Sequence, residues 1–398
     1  MSIGPSARLS ALHAASFGGI GVYLPFFPIW LEHRGVPPDL LGVILALPIV
    51  VRIVAVAPLM ALADRGIGPR RLIAGACCAV ALVYVALLRA ESFVALAALV
   101  VLMALGHAPI IPAADLVTIQ AIRRDRRLDY GRIRLWGSIA FLAASIGGGY
   151  ILGALPADAV IWLLLGLAVT AMATAWLVVP DGMAANVDPD AAKPVGGRKR
   201  LPLSLWYVIG AAACTQASHA ALYAFGSIHW RDLGFSSATI GWLWAIGVVA
   251  EILVFAGLGK SVGRGTAAFG LILAGAGTAA LRFAALAADP GLPAIFVLQM
   301  LHGLSFGATH LGTMAALALL APEAARGRAQ GVMSAAQALA MAAGTVASGR
   351  IFRAAGPAVF LAMVPLAAAG LLFGLLAMRS FRAQPQSAGD GGSTMLPS

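Results

Sequence analysis

Charged side chains are scarce in this chain of 398 residues. Only 11% of its residues are Asp, Glu, Lys or Arg, whereas soluble proteins carry about 25%. The scarcity accompanies a hydrophobic content of 61% and a mean hydropathy of +0.91. Apolar runs of about 20 residues recur along the whole chain, which is the pattern of membrane-crossing helices. The composition excludes a soluble globular protein and predicts an all-α polytopic membrane protein.

Cysteine is nearly absent as well. The three cysteines, Cys77, Cys78 and Cys214, all fall inside apolar runs. This placement argues against a disulfide framework and against a zinc site. The sequence also has no His–carboxylate spacing typical of metal sites and no nucleophile motif. We therefore expect no metal, no cofactor and no enzymatic activity.

Acidic residues are few, at 16 against 27 Lys and Arg, which gives a net charge of +11. The position of these charges argues against nucleic acid as a partner. Twelve apolar spans lie between residues 9 and 378, and most basic residues fall in alternate loops, including Arg123, Arg124, Arg126 and Arg127. Such a bias marks cytoplasmic loops. We expect a monomer in a bacterial-type inner membrane, with the lipid bilayer as its partner and both termini in the cytoplasm.

One long polar interruption divides the twelve spans into two sets of six. Residues 180–202 are rich in Pro, Gly and charge and are typical of a cytoplasmic linker. The expected domains are therefore an N-terminal six-helix bundle over 1–179 and a C-terminal six-helix bundle over 203–382. Residues 383–398 are polar and low in complexity, and we expect a disordered tail.

The two halves resemble each other in sequence. Span two aligns with span eight without a gap, so that Gly42 falls on Gly241 and Arg52 falls on Glu251. The two halves thus carry opposite charges at equivalent depth. A transporter built from two parallel repeats is expected to show this pattern.

Ionisable side chains inside a membrane are costly and usually face the bundle interior or an aqueous cavity. The candidates are Arg52 in span two, His107 and Asp115 in span four, Arg134 at the start of span five, His219 in span seven, Glu251 in span eight, Arg282 in span nine, and His302 and His310 in span ten. A structural ion pair, or a histidine that only bonds a neighbouring helix, is the alternative for each.

Helical spacing allows Glu251 and Arg282 to meet a histidine of span ten. In an α-helix, His310 would lie about 12 Å along the axis from His302 and roughly 80° around it. A carboxylate whose partner comes and goes can carry a proton. We therefore interpret Glu251, Arg282, His302 and His310 as a proton-coupling group.

Aromatic and proline residues add two further expectations. Tyr23, Phe26, Trp136 and Trp244 are candidates for the wall of an apolar cavity, with a place in the core or the lipid interface as the alternative. Prolines are paired in spans one, two and four, and they predict bends there. These pairs are Pro25 and Pro28, Pro48 and Pro58, and Pro109 and Pro112.

The loop LADRGIGPRR at residues 62–71 resembles the signature of the major facilitator superfamily. The matching residues are Leu62, Ala63, Asp64, Arg65, Gly68, Arg70 and Arg71. The loop has one extra residue before Gly68, and Met60 stands where the signature has Gly. The resemblance implies twelve helices in two pseudo-symmetric six-helix halves, with Asp64 and the arginines latching one gating state. The corresponding second-half loop keeps Gly263 and Arg264 but lacks the acid.

Four stretches resemble the phenylpropionate permease family and, more distantly, lactose-permease-type sugar symporters. They are DYGRIRLWGS, QASHAALYAFGSIHW, GWLWAIGVVAEILVF and LHGLSFGATHLGTM. The resemblance implies that Arg134 binds substrate, with Asp115 as its acidic partner. It also implies proton coupling by Glu251, Arg282 and either His302 or His310. A second acid that lactose permease has in span ten is missing here.

These observations favour a secondary active transporter. We expect a proton symporter that imports a small organic solute by alternating access, namely an aromatic acid such as a phenylpropionate, a sugar or a nucleoside. Arg52, His219, Trp136, Tyr23, Phe26 and Trp244 complete the expected substrate site. A proton-coupled efflux antiporter is the alternative, although span five lacks the Gly-Pro stretch common in that group. A non-transporting sensor or scaffold is remote because no extramembrane domain is evident.

Overall fold

The computed structural model describes residues 4–179, 200–259 and 266–383. The first half contains α1 (Pro5–His33), α2 (Pro38–Leu62), α3 (Gly68–Leu87), α4 (Phe93–His107), α5 (Ile110–Arg124), α6 (Tyr130–Ala154) and α7 (Ala159–Val178). The second half contains α8 (Leu203–Ala217), α9 (Ala220–Asp232), α10 (Ser237–Leu258), α11 (Ala267–Leu286), α12 (Leu292–Met300), α13 (Thr309–Leu320), α14 (Arg326–Ala355) and α15 (Val364–Arg382). Within these ranges no strand occurs, and the prediction of an all-α membrane protein is confirmed.

Fifteen helices make twelve crossings because three spans are broken. Eleven segments of the described chain are long and apolar enough to cross a membrane. Two of them, Phe93–Arg124 and Leu292–Leu320, are the broken spans four and ten. The remaining crossing is span seven, which consists of α8 and α9 with a turn at Ser218 and His219 between them. Broken helices in a membrane are tolerated where the freed backbone groups are buried in protein or face a cavity.

The paired prolines differ in their effect. Both α1 and α2 continue without interruption through their prolines. Span four, in contrast, is interrupted between His107 and Ile110, where Pro109 lies. A proline removes one backbone hydrogen bond and crowds the preceding turn, and of these three spans only span four is broken at such a site.

The two ends of the bundle differ. Val179 and Arg200 flank the undescribed residues 180–199 and mark one end, which we call the linker end; the opposite end is the far end. Because successive spans alternate in direction, α1 begins at the linker end. Most of the predicted linker and residues 384–398 of the predicted tail lie outside the described residues. So do Gly263, Arg264 and the side chain of Asp64.

The two halves touch at the far end through small residues. A Cβ at Gly349 of α14 would come within 2.6 Å of the Pro38 carbonyl oxygen and 3.1 Å of the Gly42 Cα on α2. On the other side of the bundle, the Ser145 hydroxyl of α6 donates to the Gly241 carbonyl of α10 at 3.1 Å. Small residues let helix backbones approach this closely. The far end is therefore closed by direct backbone contact.

The same contacts preserve the internal repeat. Gly42 and Gly241, which align in the sequence, each occupy one of these two close backbone contacts. Gly35 and Gly234, which also align, both have positive φ angles, +79° and +84°. Non-glycine residues rarely adopt this conformation. The halves thus repeat both the turn before the second helix and its packing site.

Polar contacts reinforce the far-end closure. Arg231 of α9 pairs with Glu32 of α1 at 2.7 Å, and Arg353 of α14 pairs with Asp39 of α2 at 2.8 Å. Exposed ion pairs of this kind contribute about 0.2–1 kcal/mol each. They therefore bias the equilibrium between the closed and the open far end, while the backbone contacts define the geometry of the closed state.

Substitution of Gly349 by valine is expected to open the far end. The added side chain meets the backbone of α2, and overpacking of this kind costs about 1–3 kcal/mol in the closed state. A cysteine at Ile49, which lines the central cavity described below, reports the change in a background without Cys77, Cys78 and Cys214. Its labelling by an impermeant maleimide added at the far end should accelerate roughly tenfold or more.

Gly75→Val is the matched control. A Cβ at Gly75 of α3 meets no atom within 4 Å, so this variant should label at the rate of the parent. Equal labelling rates for the Gly349 and Gly75 variants would contradict the assignment of this contact to far-end closure.

Candidate functional site

A central cavity lies between the two halves and has two lobes. The larger lobe has a volume of about 730 Å³ and the smaller lobe about 340 Å³. The lobes share Ile20 of α1, Tyr223 of α9 and Phe306 of span ten as lining residues. These three side chains form the boundary between the lobes.

The smaller lobe brings together four ionisable residues of the predicted site, and Trp244 also lines it. Arg134 enters from α6 of the first half, and Glu251 of α10, Arg282 of α11 and His302 of span ten enter from the second half. The predicted proximity of a Glu, an Arg and a His on spans eight to ten is observed. Glu251 is the one carboxylate among the described residues that line this lobe.

Arg134 is a half-buried cation held by an aromatic ring. Its guanidinium carbon lies 3.7 Å from the centroid of the Phe17 ring on α1. Within the described chain, no carboxylate pairs with Arg134 inside 4.0 Å. Asp115, the acidic partner implied by the resemblance, instead accepts a hydrogen bond from the Tyr130 hydroxyl at 2.9 Å. Arg134 is thus open to an anion from the lobe.

Arg282 is fully buried and surrounded by neutral acceptors. Its guanidinium donates to the Gln299 side-chain oxygen, to His302 Nδ1 at 3.2 Å and to the Ser305 hydroxyl at 3.4 Å. The Gln299 amide in turn donates to the Leu243 carbonyl at 3.0 Å. Buried charges are usually paired with an opposite charge. Here the positive charge remains uncompensated by the side chains in contact with it.

The hydrogen-bond partners fix the proton positions on two histidines. A guanidinium only donates, so His302 Nδ1 accepts from Arg282 and the proton lies on Nε2. His219 Nδ1 donates to the Thr215 carbonyl at 3.0 Å, so its Nε2 accepts from the Ser305 hydroxyl at 3.1 Å. Both imidazoles are therefore neutral in this arrangement, and they link Arg282 to the broken region of span seven.

Glu251 forms no ion pair with Arg282 or with any other described residue. It is half-buried, and a Cβ at Gly307 would lie 3.5 Å from its Cγ. Arg134 lines the same lobe as this carboxylate. Glu251 can gain or lose a proton without breaking an ion pair.

A π-helical turn changes the geometry of span ten. Residues Gly303–Ala308 form this turn, which has i→i+5 hydrogen bonds and so adds a residue to the turn. The ring of Phe306 consequently stacks on His302 at 5.2 Å and on His310 at 6.3 Å. The regular α-helical spacing used to relate His310 to His302 does not apply across this turn. Phe306 stands between His310 and His302, and His310 lines neither lobe.

Aromatic rings form much of the smaller lobe. The lining includes Phe17, Tyr223, Trp244 and Phe306. The ring centroids of Tyr223 and Trp244 are 5.9 Å apart. The Trp244 indole nitrogen donates to the Ser227 hydroxyl at 2.8 Å, which fixes the indole in place. An apolar wall beside a free guanidinium suits a ligand with an aromatic ring and an anionic group.

The other predicted aromatic residues lie elsewhere. Tyr23 lines the larger lobe. Phe26 is 2% exposed and belongs to the apolar core, and Trp136 is 51% exposed. Neither of these two lines a lobe. Trp136 is two residues after Arg134, which is about 200° around the helix, so the two side chains cannot face the same cavity.

The larger lobe contains two further predicted residues. Arg52 of α2 faces this lobe, as does His107, whose Nε2 contacts the Tyr84 hydroxyl at 3.0 Å. Although Arg52 and Glu251 align in the sequence, they face different lobes. The internal repeat therefore places one charge in each compartment.

The predicted gating loop lies at the linker end. Arg65 and Arg71 are exposed, and Gly68 has a φ of +74°. The Arg70 guanidinium lies 4.4 Å from the centroid of the Trp176 ring of α7. Arg70 is thus anchored against the sixth span, next to the turn that connects α2 and α3.

Several buried polar residues escaped the sequence prediction, among them Gln299, Ser305 and His13. Gln299 and Ser305 contact Arg282. The sequence search was limited to ionisable residues, so it did not identify these uncharged side chains. His13 of α1 is an ionisable residue within the first apolar span, so a signal existed. Its Nε2 donates to Thr118 Oγ1 at 2.9 Å, because the Thr118 proton is already donated to the Ala114 carbonyl.

Substitution of Gln299 by leucine is expected to destabilise the protein. The change leaves a guanidinium N–H of Arg282 without its Gln299 acceptor, and an unsatisfied buried polar group costs about 1–3 kcal/mol. Thermal unfolding of the purified protein in detergent measures the loss as a lower Tm. Gln337→Leu, which alters an amide facing the larger lobe, should leave the Tm unchanged. Equal Tm values for the two variants would contradict a supporting role for Gln299.

Comparison with known proteins supports the family resemblance that the sequence motifs indicate. The MFS_1 like family matches residues 7–362. The "Probable 3-phenylpropionic acid transporter" of Escherichia coli (strain K12) is 31% identical over 308 residues, which cover 75% of this chain and 78% of that protein. The resemblance inferred from the sequence motifs is confirmed.

Solved structures agree on the architecture. The nucleoside transporter NupG superposes with a TM-score of 0.76 at 14% identity, over 96% of this chain and 100% of that chain. A bacterial homolog of the human lysosomal transporter Spinster, in an inward-facing and occupied conformation, superposes with a TM-score of 0.66 at 15% identity, over 95% of each chain. At these identities the likeness establishes the fold.

Proposed function

The chain belongs to the MFS_1 like family and is a transporter of the major facilitator superfamily, and from that premise we propose that it imports an aromatic carboxylate together with a proton. The observation that carries this proposal is the charge of the smaller lobe. Arg134 and Arg282 face a single carboxylate, Glu251, so the empty lobe holds one uncompensated positive charge when Glu251 is ionised. A monoanionic substrate supplies the missing charge.

The shape and surface of the lobe support an aromatic substrate. A volume of about 340 Å³ falls within the range of roughly 300–1,000 Å³ for small-molecule sites. The rings of Phe17, Tyr223 and Trp244 provide apolar area for a phenyl group. The carboxylate of the substrate is assigned to Arg134, whose guanidinium has no acidic partner among the described residues. The relative from Escherichia coli, by its name, supports the same substrate class.

The position of Glu251 favours symport over antiport. An anionic substrate and an ionised Glu251 in the same lobe repel each other. Protonation of Glu251 removes this repulsion, so the proton and the substrate each increase the affinity for the other. A cationic drug would instead compete with the proton, as an antiporter requires, and the positive charge of the lobe disfavours it.

Alternating access follows from the arrangement of the two ends. The far end is closed by backbone contacts, whereas residues of the larger lobe such as Val56 and Gly331 lie in the linker-end halves of their helices. The distribution of basic residues assigns the linker end to the cytoplasm. We therefore interpret this conformation as the inward-facing state of the cycle.

Uptake by proteoliposomes tests the proposal. With an alkaline interior, labelled 3-phenylpropionate should accumulate above its external concentration faster than in protein-free liposomes, which report passive entry of the undissociated acid, and a protonophore should abolish the accumulation. Uridine and lactose serve as comparison substrates and should not accumulate. Accumulation of either comparison substrate instead of 3-phenylpropionate would overturn the substrate class, and accumulation that ignores the pH gradient would overturn proton coupling.

A further inference from the structure

Arg52 is an unpaired cation in the larger lobe. Its side chain is exposed to this lobe. Within the described chain it forms no ion pair or hydrogen bond, and no Asp or Glu lines the larger lobe. Structural ion pairs hold many arginines in place, but Arg52 has no such contact to maintain. Its positive charge is available to a ligand.

The wall beside Arg52 is apolar. Pro48, Ile49, Ile53 and Val56 of α2 line the same lobe. Pro48, Ile49 and Val56 lie three or four residues from Arg52 and so share its side of the helix. Met103 and Met341 approach from other helices and continue the apolar surface. The lobe thus combines one guanidinium with an apolar wall, as the smaller lobe does with Arg134.

The larger lobe lies on a path between the smaller lobe and the linker end. Tyr223 and Phe306 border both lobes. Beyond them the larger lobe extends along the linker-end half of α2. A solute that leaves the smaller lobe in this conformation passes these two rings and reaches Arg52.

We propose that Arg52 and the apolar wall of α2 form a second subsite for aromatic monocarboxylates. This inference rests on the proposed function, since it uses the same substrate class. A fixed charge on a wall of low dielectric concentrates counter-ions near it, so the subsite holds the anion between the smaller lobe and the linker end. The lobe of about 730 Å³ is roughly twice the volume of its neighbour and accommodates the anion with water.

Binding stoichiometry tests the second subsite. Equilibrium dialysis of the purified full-length protein against labelled 3-phenylpropionate should give two bound molecules per chain. Arg52→Gln should reduce this to one, with the dissociation constant of the remaining site unchanged within about twofold. Arg52→Lys retains the charge and should restore two. Because Arg52 has no structural partner within the described chain, the glutamine variant should keep the Tm of the parent.

Two further variants make the outcomes distinct. Arg89→Gln removes an exposed arginine at the far end and should leave two sites. Arg134→Gln should weaken the other site by roughly 10–100-fold and leave the one at Arg52 unchanged. One site in the parent protein that Arg52→Gln does not affect would overturn the second subsite alone. No binding to the parent protein would overturn the proposed function and this inference together.

Discussion

Replacement of Glu251 by glutamine is expected to abolish uphill uptake while preserving exchange. Glutamine is nearly isosteric with a protonated glutamate but cannot release a proton. Accumulation driven by a pH gradient should fall to the level of empty liposomes, whereas exchange of internal for external 3-phenylpropionate should stay within a few-fold of the parent rate. Glu251 has no ion-pair partner among the described residues, so its neutralisation leaves no buried cation newly unpaired.

A matched control separates the coupling role from a general effect of charge. Glu323 is an exposed acid between α13 and α14, and Glu323→Gln should accumulate substrate like the parent. Both variants are measured in the same vesicles for accumulation and for exchange. Undiminished proton-driven accumulation by Glu251→Gln would remove this residue from the coupling mechanism.

Replacement of Arg134 by glutamine should weaken binding of 3-phenylpropionate by roughly 10–100-fold. Hydrogen bonds to charged groups contribute about 1.5–3 kcal/mol, and 1.4 kcal/mol corresponds to about tenfold in affinity. Arg134→Lys should recover only part of the loss, because lysine lacks the planar fork that binds a carboxylate and stacks on the Phe17 ring. Titration of the smaller lobe by quenching of Trp244 fluorescence measures the affinity there.

A neutral analogue provides the control for Arg134. The alcohol 3-phenylpropanol keeps the ring and lacks the carboxylate, so the parent and Arg134→Gln should bind it with equal, weak affinity. An unchanged affinity of Arg134→Gln for 3-phenylpropionate would show that another group binds the carboxylate.

Much of the fold could be predicted from the sequence because hydrocarbon imposes strong rules. Membrane crossings need about 20 apolar residues, and this rule located all twelve spans. The gap-free alignment of Gly42 with Gly241 indicated the repeat, and both glycines occupy contacts between the halves. Local breaks were harder to predict. The π-helical turn at Gly303–Ala308 departs from the regular α-helical spacing on which the sequence prediction relied.

The candidate site was predicted in part. The free-energy cost of a charged side chain in hydrocarbon indicates that Glu251 and Arg282 avoid lipid. The structure places both in one lobe. The absence of a direct ion pair between them could not be predicted. The Arg282 guanidinium donates instead to the neutral side chains of Gln299 and Ser305, and the sequence does not show that these residues lie beside it. Trp136 and Arg134 were both expected in the substrate site, although a spacing of two residues separates their side chains by about 200° around the helix.

The central claim is that substrate and proton move in the same direction, and proton flux measures this most directly. Addition of 3-phenylpropionate to proteoliposomes without an imposed gradient should raise the pH of the external medium as protons enter with the anion. Vesicles that contain Glu251→Gln account for passive entry of the undissociated acid and should give only that smaller signal. External acidification, or uptake without any pH change beyond that of the Glu251→Gln vesicles, would contradict proton symport.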